Sequence, residues 1–162
     1  MKQVIHAEKL LREAGCSADV ITHSRAVRDL SLFFSENLPV DRELIEAGAM
    51  LHDIGRSKTH TIAHAQVGAD ICRKLGLSEE IARIVECHIG AGLTAEECVK
   101  EGLRPIDCVP QTPEEKIVAN ADNLIRGTEV ITIDERLSIS ANLPEKIRKR
   151  MLDLSIEVSE FR

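Results

Sequence analysis

Six side chains in this sequence are of types that hold metal ions and recur at positions that could meet: His23, His52, Asp53, His64, His88 and Asp122. Imidazoles and carboxylates without a thiolate form a donor set suited to iron, manganese, zinc, cobalt or magnesium rather than to a sulfur-rich centre. Six ligands exceed what a single ion takes while keeping a position open for water, so the set points to one or two divalent ions. His52 and Asp53 are adjacent and close a strongly apolar run just before Gly55. A carboxylate buried there is costly unless a cation or several donors face it. Taken singly, the members have plainer explanations: His23 as a core histidine bonded to a neighbour, Asp122 as an acid at the edge of an apolar stripe. The case depends on whether the elements that carry them turn these side chains to one place.

The elements do have that pattern. A first helix is expected from Gln3 to Ala14, carrying Val4, Ile5, Leu10 and Leu11 and stopped by Gly15. A second runs from about Ser17 to Asn37, with Val20, Val27, Leu30 and Phe34 at helical spacing and His23 on or beside that stripe. Asp41 starts a third helix, apolar on nearly all sides through Leu44, Ile45, Ala47, Ala49, Met50 and Leu51, and therefore central. Its last turn delivers His52 and Asp53. A polar loop with Arg56 and Lys58 follows; Lys58 reads equally as a solvated loop residue. His64 opens a stripe with Val67, Gly68, Ile71 and Leu75. Ser78 caps a fifth helix whose apolar face is Ile81, Ile84, Val85 and His88, ending by Gly90.

Thr94 to Glu97 reads as a capping box for a short helix ending by Gly102, and Thr112-Pro113-Glu114-Glu115 opens a longer one with Val118, Ala121, Asp122 and Ile125 on one stripe. Val130 to Ile133 suits either a short strand or a frayed helix. Pro144 starts a last amphipathic helix through Ile147, Met151, Leu154, Val158 and Phe161, which packs on the bundle or presents a face to a second copy in a homodimer. The fold class is all-α: a single domain over 1–162, with a core of about 17–127 and a C-terminal helical extension over 128–162.

Composition narrows the partners. With a net charge of -6, no basic block, no Trp, no Tyr and three Phe, the chain lacks both the charge and the aromatic platforms of a nucleic-acid polymer binder. A small phosphorylated substrate, such as a nucleotide, stays open because a metal supplies positive charge locally. No apolar run is long enough for a bilayer, which argues against a membrane location. Five scattered cysteines suit a reducing compartment, and the chain is expected in the cytoplasm.

The order His23, His52-Asp53, Asp122 resembles the HD superfamily of metal-dependent phosphohydrolases. Ala49 to Gly55 is similar to that family's hallmark helix end, His64 to Ala69 and Glu86 to Gly90 to the segments that supply further histidines in dinuclear members, and Ala119 to Asn123 to the final aspartate's helix. The match runs from His23 to Arg126, and the whole chain is most similar to small stand-alone HD proteins. The resemblance implies an all-α HD bundle with His23, His52, Asp53 and Asp122 on a first ion, and Asp53 bridging to a second held by His64 and His88. It implies hydrolysis of a small nucleotide or related phosphate ester by a metal-activated hydroxide, with Asp53 and Arg56 in the catalytic machinery and Arg25, Arg56 and Lys58 on phosphate. Dinucleoside polyphosphate hydrolysis, a diiron oxygenase and a non-catalytic metal-stabilised sensor are the alternatives. The absence of a tandem histidine at Cys87-His88, and of Gly-Tyr-Pro after it, counts against the cyclic-di-GMP phosphodiesterase branch.

Overall fold

Arg42–Leu51 (α3) is the helix that the other elements surround. The structure, a computed structural model, describes residues 5–161. In chain order α3 is preceded by α1 (Ala7–Ala14) and α2 (Ala18–Phe34), and followed by a tight 3-10 turn, Ile54–Ser57. Then come α4 (His64–Lys74), α5 (Glu79–Glu86), α6 (Ala95–Lys100) and α7 (Pro113–Asn123). The chain continues with strands β1 (Ile125–Arg126) and β2 (Glu129–Val130), then α8 (Ile133–Ile139) and α9 (Glu145–Ser159). The two strands pair antiparallel, Ile125 with Val130 and Arg126 with Glu129, and form the only sheet among the described residues. The protein is all-α apart from this ribbon, and no described helix is long and apolar enough to cross a membrane.

The all-round apolarity of α3 has a direct structural cause. Ile45 and Ala49 face one core with Val27, Ile84, Ile117, Met151 and Leu154. Ala47, Met50 and Leu51 face another with Leu11, Ile21, Ile54, Cys72 and Val85. A helix between two cores needs apolar residues on opposite sides, and burying each such side chain is worth about 1.5–3 kcal/mol. The caps set the helix starts: the side chains of Ser17, Asp41, Ser78 and Thr112 each accept from a backbone amide of their own first turn. Thr94 and Thr132 form complete capping boxes with Glu97 and Glu135. Glu115 instead reaches back past Thr112 to the amide of Gln111, at 2.9 Å.

One close approach shapes the centre of the molecule. A Cβ on Gly55 would collide with the carbonyl oxygen of His64 and lie 2.7 Å from the amide nitrogen of Gly68. Glycine is required here by contact between two backbones, not by an unusual φ. The turn carrying Asp53 therefore sits flat against the first turns of α4, which begins with His64.

Several expected boundaries move. α2 ends at Phe34 rather than near Asn37, α5 ends at Glu86 so that His88 lies just beyond it, and α7 ends at Asn123 with Ile125 on β1. Leu75 is 48% exposed, so the stripe opened by His64 stops short of it. Gln3 and Val4 of the first expected helix lie outside the described residues. The segment expected as strand or helix is divided: β2 takes Val130, and a Thr132 cap starts α8 at Ile133. Phe161 lies past the end of α9.

Candidate metal centre

Asp53 stands between two sets of side chains. Its Oδ2 faces His23 Nε2 at 3.7 Å and His52 Nε2 at 3.5 Å, and Asp122 Oδ1 closes that set at 3.0 Å from His23 and 3.3 Å from His52. Its Oδ1 faces His64 Nε2 at 3.1 Å and His88 Nε2 at 3.3 Å. The elements that deliver these groups are the middle of α2, the end of α3, the start of α4, the residue after α5's cap and the last turn of α7. His52, Asp53, His64 and His88 are buried; His23 and Asp122 are half-buried and open toward a cavity.

The tautomers follow from hydrogen bonding. Nδ1 of His23 lies 2.7 Å from the carbonyl of Gly127, that of His52 2.6 Å from Ala49, that of His64 2.8 Å from Thr61, and that of His88 2.6 Å from Val85. A carbonyl only accepts, so each Nδ1 carries the proton and donates it, and each Nε2 presents a lone pair to the centre. His64 Nε2 and His88 Nε2 then face each other at 3.1 Å, with Asp53 Oδ1 beside both. None of these three atoms can donate to another unless an imidazole takes a second proton. A proton or a cation must sit among them. His52 Nε2 is likewise buried without a hydrogen-bonding partner, although Asp122 Oδ1 is close. These are the marks of ligands around ions, and the residues present fit one.

The electrostatics agree. Where protons rather than a cation sit among these atoms, burial opposes charge on Asp53, yet a protonated His52 and hydrogen bonds donated by His64 and His88 prevail, holding its carboxyl well below the usual carboxylate range. Asp122 is likewise lowered against burial by His52 and the bond from His23. Burial disfavours a charged His52, but the two aspartates overcome it and push its pKa up to about 9. His88, where burial dominates, is lowered. The carboxylate pair thus creates a strongly cation-seeking field.

The expected phosphate residues divide. Arg56 Nε lies 3.2 Å from Asp53 Oδ2, and the side chain lines the cavity. Lys58 is exposed and does not line it. Arg25 is not brought to the centre: its Nε donates to Glu8 Oε1 at 2.6 Å. Two residues along a helix turn through about 200°, so a helix that points His23 inward points Arg25 away. Sequence reasoning missed Asn123, whose Nδ2 donates to Gly90 O at 2.9 Å, and Arg136, whose guanidinium donates to Asn123 O at 2.6 Å and Ile125 O at 2.9 Å. Asn123 adjoins Asp122 and could have been suspected on that ground; Arg136 carried no such signal.

The cavity holds about 400 Å3. A larger hollow of about 870 Å3 lies between α1 and the starts of α3 and α5, but it contains none of the ligands and its rim mixes Lys9 and Arg12 with Glu46 and Glu80.

Several known proteins are similar to this chain in sequence or fold. Protein MJ0778 of Methanocaldococcus jannaschii is 50% identical over 125 residues, 74% of this chain and 74% of that protein. The tRNA (cytidine(56)-2'-O)-methyltransferase of Thermoplasma volcanium is 43% identical over 148 residues, which is 91% of this chain but only 42% of the relative's length. In fold, the chain is similar to the crystal structure of the HD domain of the Listeria monocytogenes phosphodiesterase PgpH, with a TM-score of 0.61 at 16% identity, covering 97% of this chain and 98% of that one. The same domain has been solved in complex with cyclic-di-AMP. Residues 20–127 match the HD domain, and this span contains all six candidate ligands; the chain belongs to the HD domain family.

Proposed function

We propose that this chain is a metal-dependent phosphohydrolase acting on a small nucleotide or related phosphate ester. The observation that carries the reading is the division of Asp53 between two histidine sets, each imidazole fixed by a carbonyl on its other nitrogen. His23, His52, Asp53 and Asp122 would hold one divalent ion; Asp53, His64 and His88 would hold a second. Such ions supply Lewis acidity, lowering the pKa of water and neutralising charge on phosphoryl oxygens. The protein's own part is positional. Arg56 stands at the ion end of the cavity with guanidinium donors within reach of both Asp53 and the space where a phosphate would lie. The carbonyl bonds hold the imidazoles against rotation, and the surrounding aliphatic side chains limit water.

Size and surface favour a small substrate. A cavity of about 400 Å3 is at the lower end of the range for small-molecule sites, and none of the chain's three Phe lines it. The complex of a fold relative with cyclic-di-AMP supports a nucleotide. A second reading, a phosphate ester at an RNA end, is favoured by the likeness to the Thermoplasma volcanium tRNA methyltransferase. The test begins with elemental analysis of protein purified without added metal. Phosphate release is then measured from nucleoside mono- and polyphosphates and from RNA oligonucleotides with that metal. Asp53→Ala should lose both metal and turnover; full activity in that variant would refute the assignment. Oxygen consumption in place of phosphate release would point to oxidation instead.

A further inference from the structure

The ligand set makes no use of the C-terminal extension, yet the extension builds one whole side of the cavity. Arg136 and Ser140 at α8, Leu143 and Pro144 in the following turn, and Ile147 and Met151 of α9 all line it. The opposite end is ionic, with His23, Asp53, Arg56 and Asp122.

Two of the polar groups near this wall are already engaged. Arg136 donates through Nε and Nη2 to main-chain carbonyls, and Asn123 Nδ2 is given to Gly90 O. What the wall offers a ligand is therefore mainly aliphatic surface. It is also held firmly in place. Arg150 of α9 donates to Gly92 O at 2.9 Å and to both carboxylate oxygens of Glu97, at 2.8 and 3.0 Å. Met151 is buried beneath Gly90, close enough that a Cβ there would lie 3.6 Å from its sulfur. A rigid aliphatic surface facing an ionic floor selects by length and shape.

We propose that α8 and α9 form the specificity wall of the metal cavity, with Leu143 and Ile147 gripping the non-phosphate half of a phosphate ester and limiting its length. The proposal rests on the reading of the site as one for phosphate esters, but not on turnover. Recognition through aliphatic contact means that the body of the ester, nucleoside or otherwise, is chosen by size, and that each methylene reaching the wall tightens binding about fourfold.

Alkylphosphonates, which present a phosphate-like head and cannot be hydrolysed at the phosphorus–carbon bond, separate the two ends of the cavity. Methyl-, propyl- and hexylphosphonate are titrated calorimetrically into the full chain loaded with Mn2+. Wild type should bind propylphosphonate about fifteenfold more tightly than methylphosphonate, two methylenes at about fourfold each. Leu143→Ser, at a position already 37% exposed and so tolerant of change, should reduce that ratio to about threefold or less while leaving methylphosphonate affinity as it was. Ile147→Phe should penalise hexylphosphonate selectively, with thermal melts verifying that it folds. A flat series in wild type, or an unchanged series in Leu143→Ser, overturns the wall. If methylphosphonate itself does not bind the loaded chain, the phosphate-ester reading fails and the wall falls with it; binding without the climb sinks the wall alone.

Discussion

Replacing Gly55 by alanine tests the close packing that brings Asp53 to His64. The added Cβ would overlap the carbonyl oxygen of His64 and stand 2.8 Å from its carbonyl carbon and 2.7 Å from Gly68 N. Every one of these atoms is backbone, so no rotamer change relieves the contact. Either the Ile54–Ser57 turn or the first turn of α4 must shift. Overpacking of this kind costs about 1–3 kcal/mol, and the rigid partner puts it at the upper end. Against this, alanine restricts the unfolded chain and returns about 0.4–1 kcal/mol. The net loss is about 2 kcal/mol, or a fall in Tm of roughly 4–8 °C for a chain of this size. Calorimetric melts of the metal-free protein measure it directly. The same shift displaces His64 from Asp53 Oδ1, now 3.1 Å away, so metal bound per chain should fall as well. Gly48→Ala is the comparison: its Cβ would meet the side chain of Ile84 at 2.7 Å, which can move, so the loss should be smaller and metal content unchanged. A Gly55→Ala protein that melts within 1 °C of wild type and keeps its full metal would refute the argument (the threshold being about 0.3 kcal/mol).

Other consequences can be checked with the same preparations. His64→Ala should lower metal content without abolishing it, because His23 and His52 remain at Asp53's other oxygen with Asp122 Oδ1 beside them; elemental analysis showing equal content in variant and wild type removes the second ion. Arg136→Ala leaves the carbonyls of Asn123 and Ile125 without their cationic donor, and should cost about 1.5–3 kcal/mol in denaturant unfolding while loosening metal through Asp122. Glu97 is lowered to about 2 mainly by its bond to Arg150, so this pair stabilises the fold above the ordinary glutamate pKa of 4.5 and stops doing so as the pH falls toward 2. Glu97→Gln should therefore be less stable than wild type by about 1–2 kcal/mol near neutral pH, allowing for solvent screening, with the difference shrinking below about pH 4 in urea titrations.

The candidate ligands were legible because each stands at a recognisable place on or beside a strongly patterned helix. His52 and Asp53 follow the most apolar run, His64 opens a stripe, and Asp122 sits on one. Three of the helices were announced by caps at Ser78, Thr94 and Thr112, whose side chains each bond as expected, although Glu115 goes to Gln111 rather than to Thr112. Helix ends were read less well, since a stripe continues on apolar residues after the hydrogen bonding stops: Leu75 and Ile125 belong to the pattern but not to the helices. Arg25, expected on phosphate from the family resemblance, is turned from the centre to Glu8, because two residues along a helix from His23 is about 200° of rotation. The cavity wall was hidden for a different reason. Leu143 and Ile147 are ordinary aliphatic residues whose meaning comes only from the path of the chain after Gly127, which a weak ribbon and a helix with no buried residue determine.

The carbonyls that orient the four imidazoles differ in how far along the chain they lie. His52, His64 and His88 each use the residue three positions before their own, whereas His23 uses Gly127, 104 positions later. The first three can be aimed by their own turn of backbone as soon as it forms. His23 cannot be aimed until the segment beyond α7 has been made and has folded back on α2. One half of the candidate centre, Asp53 with His64 and His88, thus takes all its groups and their anchors from a single stretch of chain, while the other half is closed only by the return of the chain through Asp122 and Gly127.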